Sequence, residues 1–110
     1  MGYMIDGTEF DYDEEKFLLE PNFSDEAVKV IAAEEGITLT EDHWFVVNYL
    51  RGKYKEDGHT PNFRNFVKEM DEQHPGKNWK QFLYELFPMQ PARQAVRVAG
   101  LPKPFGKGGY

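Results

Sequence analysis

The last fifth of the chain carries four basic residues and no acidic one. Arg93 and Arg97 lie four positions apart, the spacing of one helix face, and Lys103 and Lys107 continue the charge toward the C-terminus. Guanidinium and ammonium groups bind carboxylates and phosphates. Phe105 adds an aromatic side chain of the kind that anchors protein interfaces. These five residues form either a partner-binding site for an anionic group or a tail with ordinary solvated charges, and their spacing favours neither.

A second basic pair lies on a predicted helix. Helices over about 41–56 and 61–71, joined by a tight turn containing Gly58, have the layout of a helix-turn-helix, with Arg64 and Lys68 one turn apart on the second helix. Two bases are few against the roughly six to ten phosphate contacts of tight DNA-binding proteins. A structural helical hairpin with a solvated basic face is therefore the simpler interpretation. A nucleic-acid-binding regulator is the alternative.

No catalytic or metal-binding motif accompanies these bases. The three histidines, His43, His59 and His74, are spaced 16 and 15 residues apart, which is no local metal-ligand pattern, and we expect His43 on the surface. The acidic run at 11–15 lacks the central glycine and late glutamate of a calcium loop, so it predicts a solvated acidic turn. Phosphate-binding glycine loops and nucleophile elbows are also absent from the sequence. We expect no catalytic residue, cofactor or metal.

The chain has 110 residues and no cysteine, which predicts one small domain and excludes thiol chemistry on its own side chains. Its charge is uneven, because residues 1–47 hold 13 acids and 2 bases whereas residues 48–110 hold 6 acids and 11 bases. No segment approaches the ~18 apolar residues of a membrane span, and the N-terminus lacks the pattern of a signal peptide. We therefore expect a cytoplasmic protein without membrane partners.

The elements that position these residues are mostly helical. Asp6-Gly7 favours the tight turn of an N-terminal β-hairpin. Each predicted helix begins at a capping residue or a proline. The predicted helices cover residues 25–35 after the cap Ser24, 41–56 after the cap Thr40, 61–71 after Thr60-Pro61, a short helix between Asn78 and Pro88, and a last helix from Pro91 to Gly100. The prediction is a mainly α domain over residues 1–100, in which the helix at 41–56 is central and Trp44 and Phe66 are core. Residues 101–110, rich in proline and glycine, predict a flexible arm.

Four stretches of the chain resemble the DsrC/TusE family of small sulfur-carrier proteins, which act in dissimilatory sulfite reduction, sulfur oxidation and tRNA thiolation. Residues 86–104, LFPMQPARQAVRVAGLPKP, match the C-terminal signature of the family, and residues 5–7, 35–44 and 49–51 match in order and spacing. The resemblance implies a helical domain with a helix-turn-helix, an N-terminal β-hairpin and a C-terminal arm. It also implies a protein partner of the sulfur-relay or sulfite-reductase type.

The same resemblance implies two cysteine positions that this chain has lost. In the family, a penultimate cysteine carries sulfur and the dissimilatory type has a second cysteine eleven positions earlier; these positions fall at Lys107 and Val96. Neither side chain can form or resolve a persulfide. We therefore expect a non-catalytic partner-binding or regulatory member of the family. The alternatives are the nucleic-acid-binding regulator and a structural subunit of a sulfite-reductase-like or tRNA-thiolation complex.

Overall fold

The computed structural model describes residues 1–104, which form a two-stranded sheet followed by five helices. The elements are β1 (Gly2–Ile5), β2 (Thr8–Asp11), α1 (Asp25–Glu34), α2 (Glu41–Asp57), α3 (Phe63–Gln73), α4 (Trp79–Leu86) and α5 (Pro91–Val98). The predicted mainly α class with an N-terminal β-hairpin is confirmed. Within the described residues, no helix combines the length and apolar character needed to cross a membrane.

The hairpin forms where the sequence predicts it. Asp6 and Gly7 have φ angles of 51° and 78°, which is the left-handed conformation that a two-residue hairpin turn requires at both positions. The strands are antiparallel, with Ile5 opposite Thr8. Tyr3 is buried, and its hydroxyl donates a hydrogen bond of 2.7 Å to the carbonyl of Lys16. The hairpin is thereby tied to the chain segment that follows it.

Three of the predicted helix caps are confirmed, at Ser24, Thr40 and Asn78. The predicted start of the third helix at Thr60-Pro61 is wrong. There the side chain of Asn62, in an extended conformation, accepts a 2.9 Å hydrogen bond from the amide of Asn65, so α3 begins two residues later. Asparagine is as good an N-cap as threonine, and the pattern of caps alone does not choose between neighbouring ones.

His43 is buried, not on the surface as expected, with 7% of its area exposed. Its Nδ1 accepts a hydrogen bond from the Thr40 amide at 3.1 Å, and its Nε2 therefore carries the proton and donates to the Leu86 carbonyl at 2.9 Å. Thr40 and His43 thus form a capping box, in which histidine takes the place usually held by Glu or Gln. Through these hydrogen bonds the imidazole ring of His43 connects the start of α2 to the end of α4.

The central helix is α5, and the expectation that the helix at 41–56 holds this place is wrong. Helix α5 packs against α1, α2, α3 and α4, whereas α2 packs mainly against α5. The reason is side-chain size. The small residues Ala92, Ala95 and Ala99 are all buried, and they let the neighbouring helices approach closely. Helix α2 is longer but turns one side toward the core, where Val46, Val47 and Leu50 are fully buried.

Packing continues past Gly100, contrary to the expected start of the arm at residue 101. Gly100 has φ 79°, its amide donates to the Arg97 carbonyl, and the Leu101 amide donates to the Val96 carbonyl at 3.2 Å. These two bonds are a Schellman motif, in which the residue after the glycine packs back on the helix. Leu101 is accordingly fully buried, and Pro104 is buried as well. Residues 105–110, the rest of the expected arm, lie outside the described residues.

Trp44 is only partly buried, so its expected place in the core is wrong, whereas Phe66 is confirmed there with no exposed area.

We expect Phe66→Ala to lower the free energy of unfolding by about 3–5 kcal/mol, because it removes a whole buried ring. Trp44→Ala should cost clearly less. Urea unfolding of the two variants measures both values. If Trp44→Ala lowers the free energy of unfolding as much as Phe66→Ala or more, the burial described for the two side chains is contradicted.

Leu101→Ala should lower the free energy of unfolding by about 2–5 kcal/mol, because it leaves a cavity beside α5. Deleting residues 101–110 should likewise lower the midpoint of thermal unfolding, since Leu101 is lost from the core. Leu19→Ala is the matched control, because Leu19 is 58% exposed. Thermal melts of the three variants suffice. A melting temperature for Leu101→Ala as high as that of the control would show that residue 101 does not pack.

Candidate functional site

The basic face, which we define as Arg93, Arg97 and Lys103, is assembled by the structure at one site. Arg93 and Arg97 project from successive turns of α5, and Lys103 follows the end of the helix. All three contact Glu15, in the segment between β2 and α1. The three predicted residues are thus brought together, and their common contact is a residue from the acidic run. Phe105 and Lys107, the other two predicted residues, lie outside the described residues.

Glu15 is held by both its carboxylate and its backbone. Arg93 and Lys103 form ion pairs with the carboxylate, and Arg97 Nε donates to the Glu15 carbonyl at 2.9 Å. The hydrogen bond from Lys103, together with the charge of Arg93, lowers the pKa of the Glu15 carboxyl below its ordinary value of 4.5. Glu15 is exposed, as the predicted solvated acidic turn requires, but its charge is paired with Arg93 and Lys103 within the molecule.

The turn that carries Glu15 is ordered by its own side chains. Asp13 Oδ1 accepts hydrogen bonds from the amides of Glu15 and Phe17, at 2.9 and 3.0 Å. Phe17 is fully buried, and the guanidinium carbons of Arg97 and Arg93 lie 4.6 and 5.4 Å from its ring centre. Both distances are within the range of cation–π attraction. Phe17 thus orients the two arginines toward Glu15.

Arg97 has a second acidic partner that the sequence analysis missed. Its Nη1 lies 2.9 Å from Glu35 Oε1, and both side chains are about one-sixth exposed. Gln94, which is only 2% exposed, donates to the same oxygen at 3.0 Å and accepts from the Met89 amide. The excess of acids in residues 1–47 was the available signal for such pairing. It did not identify Glu35, because the contact spans 62 positions.

The remaining predicted residues lie elsewhere. Val96, at the position that the resemblance assigns to a cysteine, is buried in the core with 1% exposed area. Arg64 and Lys68 are exposed on α3, a helix that also carries Glu69, Asp71 and Glu72. The net charge of α3 is thus negative, so its surface gives the nucleic-acid alternative no support. Residues 1–104 bring no three His, Asp or Glu side chains into a group that could hold a metal ion.

A profile of the family described as DsrC like protein matches residues 4–106, almost the whole chain. The chain belongs to the DsrC family. The relationship that residues 86–104 and the shorter matches predict is therefore confirmed. This DsrC-family chain contains no cysteine at any of its 110 positions.

Relatives described as sulfurtransferase TusE match over most of the chain. TusE of Yersinia pseudotuberculosis serotype I is 45% identical over 84 residues, which cover 76% of this chain and 78% of the relative. TusE of Escherichia coli K12 is 41% identical over 103 residues, which cover 92% and 94%. The family is thus one of sulfur-relay sulfurtransferase proteins.

Solved structures of DsrC proteins share the fold. The NMR structure of Allochromatium vinosum DsrC superposes with a TM-score of 0.84 at 37% identity, over 97% of each chain. The oxidized gamma-subunit of the dissimilatory sulfite reductase (DsrC) from Archaeoglobus fulgidus superposes with a TM-score of 0.85 at 32% identity, over 98% of this chain and 100% of that one. The hairpin and five helices are therefore the family scaffold.

Glu15→Gln should remove stability that depends on pH. A carboxyl whose pKa is lower in the folded state stabilises the protein above its unfolded pKa of 4.5, and this contribution is lost as the pH falls through the folded value. The melting temperatures of wild type and variant should therefore differ near neutral pH and converge in acid. Glu14→Gln removes the same charge one position away and is the control. A difference between wild type and Glu15→Gln that persists unchanged in acid would contradict the ion pairs described here.

Proposed function

We propose that this DsrC-family protein acts in sulfur metabolism by binding a protein partner of the sulfur-relay or sulfite-reductase type, without carrying sulfur itself. The observation that supports this role is the DsrC-family scaffold over residues 1–104 in a chain without cysteine. A persulfide forms only on a thiol, and neither Lys107 nor Val96 supplies one. The protein would therefore be a non-catalytic member of a sulfurtransferase family.

The retained surface is consistent with partner binding. The basic face is built from the same residues 86–104 that carry the family resemblance, and α5 holds Arg93 and Arg97 rigidly because the opposite side of that helix is core. A protein with this shape but no thiol could occupy a partner and leave it without sulfur. Such occupancy would regulate sulfur flow by competition with cysteine-bearing relatives. Phe105 and Lys107 would complete the contact, as the sequence predicts.

A second candidate role is that of a structural subunit. The relative from Archaeoglobus fulgidus is described as a gamma-subunit of the dissimilatory sulfite reductase, and this chain covers all of it. A constitutive subunit would co-purify with its enzyme in fixed stoichiometry. A competing regulator would instead be recovered in substoichiometric and variable amounts.

Sulfur loading tests the proposal directly. Incubated with a persulfide donor, the wild-type protein should gain no stable mass of one sulfur atom, because it offers no thiol. Lys107→Cys supplies a thiol at the position that the resemblance assigns to the carrier cysteine, and it should gain one sulfur that is lost on reduction. Intact-protein mass spectrometry reads out both.

Two results would count against the proposal. A reducible sulfur adduct on the wild-type protein would show that it carries sulfur by another route. Failure of added wild-type protein to slow sulfur transfer from the donor to a cysteine-bearing family member would remove the competitive role. In that assay, Arg64→Ala is a control variant, since it removes an exposed positive charge that makes none of the contacts to Glu15.

A further inference from the structure

We propose that Glu15 is an internal occupant of an anion-binding site on the basic face, and that an acidic segment of a partner protein displaces it. The inference rests on the proposed partner-binding function and specifies the chemistry of the partner. It also adds a regulatory element, because the chain's own carboxylate competes with that partner. The sequence motif at 86–104 contains the cations of this site but not their competitor.

The contacts around Glu15 are those of a bound anion. Two cations, Arg93 and Lys103, pair with its carboxylate, and Arg97 anchors its carbonyl. Arg97 is otherwise satisfied by Glu35 and is mostly buried, so it stays in place when the carboxylate leaves. Arg93 and Lys103 are the cations that become available. A guanidinium and an ammonium group placed together suit a carboxylate from another chain equally well.

The Glu15 side chain can leave without unfolding its segment. Its side chain is 42% exposed, and ion pairs with such exposure add little to stability, so breaking them costs little. The backbone around it is fixed independently, by the fully buried Phe17, by the hydrogen bonds of Asp13, and by the bond from Tyr3 to the Lys16 carbonyl. A rotation of one side chain therefore opens the site while the core stays intact.

The surroundings favour an acidic protein segment over a nucleic acid. Asp13 and Glu14 flank the site on the same turn, and their charges repel the closely spaced phosphates of a nucleic-acid strand. A flexible acidic segment can present one or two carboxylates and keep its other residues away from these acids. The present occupant, a single carboxylate, is the ligand that the geometry already accommodates.

The test compares two variants that lose the same charge. Glu15→Gln vacates the site, whereas Glu14→Gln removes an exposed neighbour that forms none of the ion pairs seen within residues 1–104. The probe is a fluorescein-labelled octaglutamate peptide, followed by anisotropy at low salt. We expect Glu15→Gln to bind it about three- to tenfold more tightly than wild type, because an internal competitor reduces the fraction of open sites. Glu14→Gln should bind within about twofold of wild type, since it only weakens general repulsion.

A third variant identifies the site. Adding Arg93→Gln to Glu15→Gln should abolish the gain. Matching circular dichroism spectra at the assay temperature, and a cooperative melt that begins above that temperature, confirm that each variant is folded. Equal tightening by Glu14→Gln and Glu15→Gln would overturn the proposal, since the effect would then be net charge alone. If Glu15→Gln binds single-stranded DNA more tightly than octaglutamate, the choice of an acidic protein segment as the ligand is overturned.

The outcome is separable from that of the proposed function. Peptide binding requires no sulfur chemistry, and sulfur loading does not involve Glu15. A wild-type protein that carries sulfur would remove the proposed function but leave the anion site standing. An octaglutamate affinity unchanged by Glu15→Gln would remove the anion site but leave the non-carrier role standing.

Discussion

The packing of α5 is the constraint on which the rest of the structure depends. This helix of eight residues touches all four others, and the buried Ala92, Ala95 and Val96 make its inner side part of the core. Arg93 and Arg97 stand on the same helix, so their positions are fixed by the packing of their neighbours. These two arginines of the basic face therefore have the rigidity of the core although they lie at the surface, and this rigidity is what a binding site on a small domain requires.

The acidic N-terminal part and the basic C-terminal part of the chain form ion pairs with each other. Acids from the N-terminal half meet bases from the C-terminal half, at Glu15 with Arg93 and Lys103, and at Glu35 with Arg97. Exposed ion pairs add little to stability, so the pairs at Glu15 matter more for where they hold the chain than for how strongly. They orient the segment between β2 and α1 across α5. They also leave the basic face less positive than the local sequence suggests.

Local signals predicted the elements well and long-range contacts poorly. Asp6-Gly7 specified its turn because both residues must adopt positive φ, and Ser24 and Asn78 specified helix starts through bonds that span three residues. The burial of His43 depends on the Leu86 carbonyl, 43 positions away, which no local pattern encodes. Leu101 was predictable in principle, since a glycine that ends a helix in a Schellman motif places the next apolar residue against it. For Glu15, the sequence showed the charges but not their partners.

Valine in place of the cysteine that the family resemblance implies need not disturb this scaffold, and the burial of Val96 explains why. Where the family resemblance assigns a cysteine, this chain places a fully buried apolar side chain in the core. A buried thiol behaves as a small hydrophobic group, so valine can replace it without leaving an unsatisfied polar atom. Arg93 and Arg97 are on the outer side of α5 and Lys103 follows the helix, so the residues that hold Glu15 do not depend on that position. A DsrC-family chain can therefore hold valine at position 96 and keep both its fold and its basic face, which is the combination that the proposed binding role without sulfur transfer needs.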